Sequence, residues 1–304
     1  MLLRSINKPT DSHSKRIELL LEKYPSLCDY VHHKEEILLK LFTYFFINHF
    51  MKKMIFKVIL LYFYFLTTAV LGIKFELDYL TFVLLYFGIP ALILIIQLKS
   101  YIKKISYESL LISIPSVLVI DHIAHLSKSW YENGTINIRI LNSFPIDTFI
   151  WGFIYTIFII SSYAYFFDQK RKLGIDSMNR KLIKLILSLL SIFIVLLIIY
   201  GGSFFIPYFY AVLIFIYIIW SSYWLIRFPK LYSQISLLGL FFLIPSFIYE
   251  FVAIKLAHWE FQKGFHIGYI EILNINFPLE EMLWFFVMVI SIGITYEVFA
   301  DNRK

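Results

Sequence analysis

Eight long apolar runs follow a polar opening stretch, each close to the ~20 residues that a helix needs to cross a bilayer. Their approximate limits are 54–73, 78–98, 107–125, 144–168, 182–204, 206–226, 232–256 and 277–299. The apolar positions are continuous rather than alternating, which predicts helices and argues against membrane strands. Only Gly201-Gly202-Ser203 and Pro207 separate the fifth and sixth runs. Residues 1–53 are polar with an amphipathic tail from Ile37 to Phe50, read as an N-terminal extension, with Met51 or Met54 as an alternative start.

The polar breaks carry an orientation. Lys99, Lys103 and Lys104 follow the second run, Lys170, Arg171, Lys172, Arg180 and Lys181 the fourth, Arg227 and Lys230 the sixth, and Arg303-Lys304 the last. The breaks near 74–77 and 201–206 are almost free of positive charge. The positive-inside rule therefore predicts a multi-pass protein of the cell membrane with both termini cytoplasmic. Composition agrees: 60% hydrophobic and 20% aromatic residues, with a mean hydropathy of +0.74, exclude a soluble globular protein. A net charge of +7 is then a matter of topology rather than a nucleic-acid surface. The single cysteine, Cys28, excludes an internal disulfide, and no glycine pattern builds a nucleotide loop.

Within the runs a motif pair is written twice, about 130 residues apart. The first copy has Ile114-Pro115-Ser116, Asp121, Ala124, Trp130, Gly134, then Phe144-Pro145-Ile146-Asp147 and Trp151. The second has Ile244-Pro245-Ser246, Glu250, Ala253, Trp259, Gly264, then Phe277-Pro278-Leu279-Glu280-Glu281 and Trp284. The repeat divides the chain into four-helix halves, 54–176 and 177–304. An even number of spans returns each half to its starting side, so the fold class expected is all-α integral membrane, two parallel four-helix repeats.

Carboxyl groups are disfavoured in lipid, so acids repeated within membrane spans mark a functional site. Asp147 and Glu280 follow a proline at a helix start, where an acid also complements the helix dipole. Each has a tryptophan four residues on, Trp151 and Trp284, on the same helix face. A carboxyl in such an apolar wall is a candidate proton donor, and an indole face can hold a cation. Asp121 and Glu250 follow midspan prolines that free a backbone carbonyl, and they read equally well as helix-holding polar residues or as part of the site. Glu281 is a further acid, with Thr148 in its place in the first copy. Asp121 and His125 have a spacing that suits a metal, but Phe251 and Ile254 stand at the places of His122 and His125 in the second copy, so no metal site is expected. Trp130 and Trp259 are either interface aromatics or part of the site.

A Phe-Pro-x-acid element opening a span after a tryptophan-bearing loop, repeated after about 130 residues, resembles the integral-membrane lycopene cyclase domain. The likeness covers roughly residues 54–300. Pro278-Leu279-Glu280-Glu281 matches that family's Pro-x-Glu-Glu motif, and Pro145-Ile146-Asp147-Thr148 departs from it. The resemblance implies redox-neutral cyclisation of a carotenoid end group, with no cofactor and no metal. Glu280 or Glu281 would donate the proton, while Asp147, Glu250 and Asp121 would be the base, a proton-sharing partner or a mirror site. Trp284, Trp151, Trp259 and Trp130, with Pro278 and Pro145, would line the substrate. The implied partners are a lipid-soluble polyene and membrane lipid, with a second copy or other carotenoid-pathway enzymes left open. A small proton-coupled transporter, a carotenoid or isoprenoid hydratase and a non-catalytic assembly partner are the alternatives. The fuller second copy is the expected seat of the chemistry.

Overall fold

The computed structural model describes residues 54–168, 177–201 and 204–301. The N-terminal extension, the basic residues 170–172 and the terminal Arg303-Lys304 lie outside the described residues. The chain divides into two units at residue 60, and of the first only 54–60 are described, as helix. The second unit, Leu61–Lys304, carries both copies of the motif pair.

Among the described residues eight helices are long and apolar enough to span a membrane: α1 Met54–Lys74, α2 Tyr79–Gln97, α3 Lys99–Leu126, α4 Asp147–Phe167, α5 Asn179–Tyr200, α6 Phe209–Arg227, α7 Pro229–Lys255 and α8 Leu279–Ala300. The protein is an all-α, multi-pass membrane protein. The last helix of each set of four is the central one, α8 with 83% and α4 with 61% of its apolar window buried, whereas α1 and α5 are peripheral at 17% and 11%. α3 packs on α4, α7 and α6 pack on α8, and α4 meets α8 at the centre. Both α4 and α8 finish in a π-helical turn, Tyr163–Phe167 and Tyr296–Asp301.

The midspan prolines act locally. Pro245 has no N–H to give, so the carbonyl four residues back is released, and Phe241 O instead accepts from the Tyr62 hydroxyl at 2.7 Å. The Pro245 carbonyl accepts from Tyr86 at 2.8 Å, and Ser246 pairs with Tyr155 at 2.8 Å. These bonds tie α7 to α1, α2 and α4. At the opposite end Asn179 donates to Glu108, joining the thinly packed α5 to α3.

The spans fall where the apolar runs predict, with one difference of substance. Phe144-Pro145 and Phe277-Pro278 do not belong to α4 and α8; they are strand. The connections after α3 and α7 hold six short strands: β1 Trp130–Glu132, β2 Arg139–Ile140, β3 Phe144–Pro145, β4 Trp259–Phe261, β5 Tyr269–Ile272 and β6 Ile275–Pro278. β2 pairs with β3 and β5 with β6 as hairpins. Leu141-Asn142 and Leu273-Asn274 turn them with positive φ, and for β5–β6 this is the two-residue turn that Asn favours. β1 pairs with β4 across the two halves, antiparallel, with Tyr131 opposite Glu260. Those two residues are equivalent in the repeat, so a two-fold relation between the halves passes between them.

Candidate active site

The acid nine residues before a tryptophan is explained by how the helix stops. α3 ends with Lys128 in the left-handed region (φ 56°) and Ser129 N–H bonded to Ala124 O at 2.9 Å. α7 ends the same way, with Ala257 at φ 54° and His258 N–H on Ala253 O at 2.8 Å. This stop reverses the chain into a strand, so the next indole lies back along the helix that it has just left. Trp259 Nε1 thereby donates to Glu250 at 2.8 Å. Trp130 Nε1 donates to Asp121 at 3.1 Å and also to Glu132 at 2.9 Å. Glu132 shares a strand face with Trp130 because side chains alternate, and it was not among the acids that the repeat singled out.

Each half thus assembles a carboxyl pair. Asp121 and Glu132 hydrogen-bond to one another, as do Glu250 and Glu281. Two carboxyls can bond in this way only by sharing a proton, since an ionised carboxylate has none to donate. Tyr210 of α6 donates its hydroxyl to Glu281 at 2.6 Å. All four acids are buried. Burial pushes the Glu132 carboxyl well above the ordinary glutamate range, and the neighbouring Asp121 charge pushes it the same way.

The four acids open onto one cavity of about 540 Å³, lined by α3, α4, α5, α6 and α8, with Tyr79 of α2, Glu250 of α7 and the strands β1 and β4 at its loop end. Its loop end carries Asp121, Glu132, Glu250 and Glu281 together with Trp130, Trp151, Trp259 and Trp284. Thr148 also lines it, at the place that Glu281 takes in the second half. The indole therefore shares its face with the residue three before it (Thr148, Glu281) rather than the one four before it. Away from the acids the walls are mostly apolar. The α5 wall includes Leu182, Leu185, Ile186, Leu189, Phe193 and Leu196, which share one helical face. Along α8 the lining runs from Glu281 to Thr295, roughly 20 Å at the helical rise.

Asp147 and Glu280 do something else, and neither reaches the cavity. Asp147 Oδ2 accepts the backbone N–H groups of Thr135 and, at 2.9 Å, Ile136; Glu280 Oε1 accepts Ile267 N–H at 2.6 Å. Each acid of the Phe-Pro-acid element holds down the loop that precedes its own helix. Gly134 makes that wrap possible: a Cβ there would collide with the Pro145 ring and lie 2.9 Å from the Asp147 carboxylate.

Pro145 and Pro278 end their hairpin strands beside the cavity's loop end without lining it. The described histidines are used singly. His122 Nδ1 lies 2.7 Å from Ser143 Oγ, His125 packs edge-on to Tyr131, His258 Nε2 lies 2.9 Å from Leu77 O, and His266 Nδ1 lies 2.8 Å from the Tyr269 hydroxyl. Among the described residues no group of three or more His, Cys, Asp or Glu side chains is placed to hold a metal ion. Compared with known proteins, the chain matches no family model, no curated protein and no solved structure.

Proposed function

We propose that the protein is a carotenoid end-group cyclase of the lycopene cyclase kind, an intramolecular lyase (isomerase) that closes a ring on a linear polyene without redox chemistry. The observation that carries this reading is the pairing of proton-sharing carboxyls with four indoles at one end of a long apolar cavity. A carboxylic acid there protonates the terminal double bond of the polyene and leaves a tertiary cation. The neighbouring double bond attacks that cation to close a six-membered ring. Loss of a ring proton to a carboxylate completes the product. Indole faces stabilise the passing positive charge, and the apolar slot below accommodates the rest of the hydrocarbon. Glu281 and Glu250, with Asp121, are the acids assigned to the reaction. Asp147 and Glu280 shape the loops above it.

On this reading the substrate enters from the lipid of the cell membrane, both termini are cytoplasmic and the acids face the outer leaflet. The tryptophan-lined apolar slot favours a hydrocarbon substrate over a transported ion. The test is pigment analysis of a lycopene-accumulating host that expresses the chain. A ring-bearing carotenoid is expected. Unchanged lycopene contradicts the proposal and turns attention to transport or a non-catalytic role, and a hydroxylated acyclic product identifies a hydratase.

A further inference from the structure

We infer that Glu132, an acid of the β1 strand, is a catalytic residue, and that the two carboxyl pairs divide the proton transfers, Glu250/Glu281 giving the proton and Asp121/Glu132 taking it. The inference rests on the cyclase reading above and names the groups that would carry out its two proton steps. Both pairs open onto one cavity, and Glu132 lines it although its strand lies outside the spans. β1 and β4 set the two pairs side by side, with Glu132 opposite Trp259, the indole that serves Glu250. One polyene end group between them can meet both.

The hydrogen-bond donors make the pairs unequal. Glu250/Glu281 receives one N–H from Trp259 and one O–H from Tyr210. Asp121/Glu132 has the N–H of Trp130, divided between both carboxyls, and the backbone N–H of Glu132 itself, with no O–H donor among the described residues. Donors steady the charge left when a carboxylic acid gives up its proton. The better-served pair is therefore fitted to give a proton, and the other to hold one.

The step balances. An O–H bond of Glu250/Glu281 breaks as a C–H bond forms at the terminal double bond. The next double bond supplies the electron pair of the new ring C–C bond. A ring C–H bond then breaks, its electron pair becomes the ring double bond, and its proton goes to Asp121/Glu132. No electrons are gained or lost, and one proton has moved between the pairs. The proton returns from Asp121/Glu132 to Glu250/Glu281 before the next turnover, across the cavity that both pairs line.

The test follows ring formation and deuterium uptake together, in membranes holding the full chain, with lycopene as substrate in heavy water. Glu132→Gln should lower ring formation by ~100-fold or more, the range for losing a general base. Lycopene recovered from that variant should carry deuterium in its end groups, because protonation still occurs and then reverses. Glu132→Asp should restore part of the ring formation. Two results overturn the inference: Glu132→Gln making ring product within about threefold of the wild type, or a Glu132→Gln protein with wild-type thermal unfolding losing both ring formation and deuterium uptake. A wild-type chain that leaves lycopene unchanged in the same assay overturns the cyclase reading itself, and this assignment with it.

Discussion

The two halves reach the same carboxyl pairing by different means. In the second half both acids ride on membrane helices, Glu250 on α7 and Glu281 on α8. In the first, Asp121 rides on α3 but its partner Glu132 comes from the loop strand β1, and Thr148 stands in the helical place. The position equivalent to Glu132 in the second half is Phe261, which stacks near the Tyr210 ring. What the halves share is the helix stop that turns each indole back onto its acid. The backbone device is thus the common element, and the second acid of a pair can arrive from any element that reaches the chamber.

The largest effect should come from erasing this difference. Glu281→Thr gives the second half the side chain of the first and leaves Glu250 without a carboxyl partner, so ring formation should fall by ~100-fold or more. Adding Phe261→Glu to that variant re-creates the first half's solution on β4, and part of the lost activity should return. Quantifying carotenoids per unit of folded protein checks both.

The loop clamps come next. Asp147→Ala removes an acceptor from two backbone N–H groups and Glu280→Ala from one, at about 0.5–1.5 kcal/mol for each hydrogen bond lost at these part-buried donors. Thermal unfolding in detergent should show a larger loss for Asp147→Ala. Ring formation per folded molecule should stay near wild type in both, since neither acid lines the cavity.

A smaller, pH-dependent effect separates Glu132 from a helical acid. The folded chain holds on Glu132 a proton that the unfolded chain surrenders in the ordinary glutamate range. Its contribution to stability is therefore full below that range and is lost as pH rises toward the raised folded value. Between about pH 5 and about pH 9 the unfolding temperature should fall further for the wild type than for Glu132→Gln. The smallest change concerns the helix stop. Ala257 sits in the left-handed region that a Cβ disfavours by roughly 1–2 kcal/mol, so Ala257→Gly should raise the unfolding temperature slightly and leave activity unchanged.

Much of this architecture is legible in the sequence because long apolar runs and lipid-disfavoured acids are strong signals. All eight spans, the Trp–acid relation and the cavity tryptophans can be read from spacing. The helix starts cannot, because Phe-Pro looks as apolar in a strand as in a span. The signal that would have found the hairpins is Ile-Leu-Asn, present just before each Phe-Pro at Ile140-Leu141-Asn142 and Ile272-Leu273-Asn274. The one-residue displacement from Asp147 and Glu280 to Thr148 and Glu281 is also hidden, since which side of a first helical turn faces a chamber depends on how the loop is folded over it. Glu132 escapes a search for repeats because it occurs in only one copy. Its spacing of two from Trp130 would have been informative only once β1 was known to be a strand.

Cyclisation by the Glu281 pair is tested most directly by expressing the wild type, Glu280→Gln and Glu281→Gln side by side in a lycopene-accumulating host. Ring-bearing carotenoid is expected from the wild type and from Glu280→Gln, and linear lycopene from Glu281→Gln. Linear lycopene from the wild type, or wild-type ring formation by Glu281→Gln, would refute it.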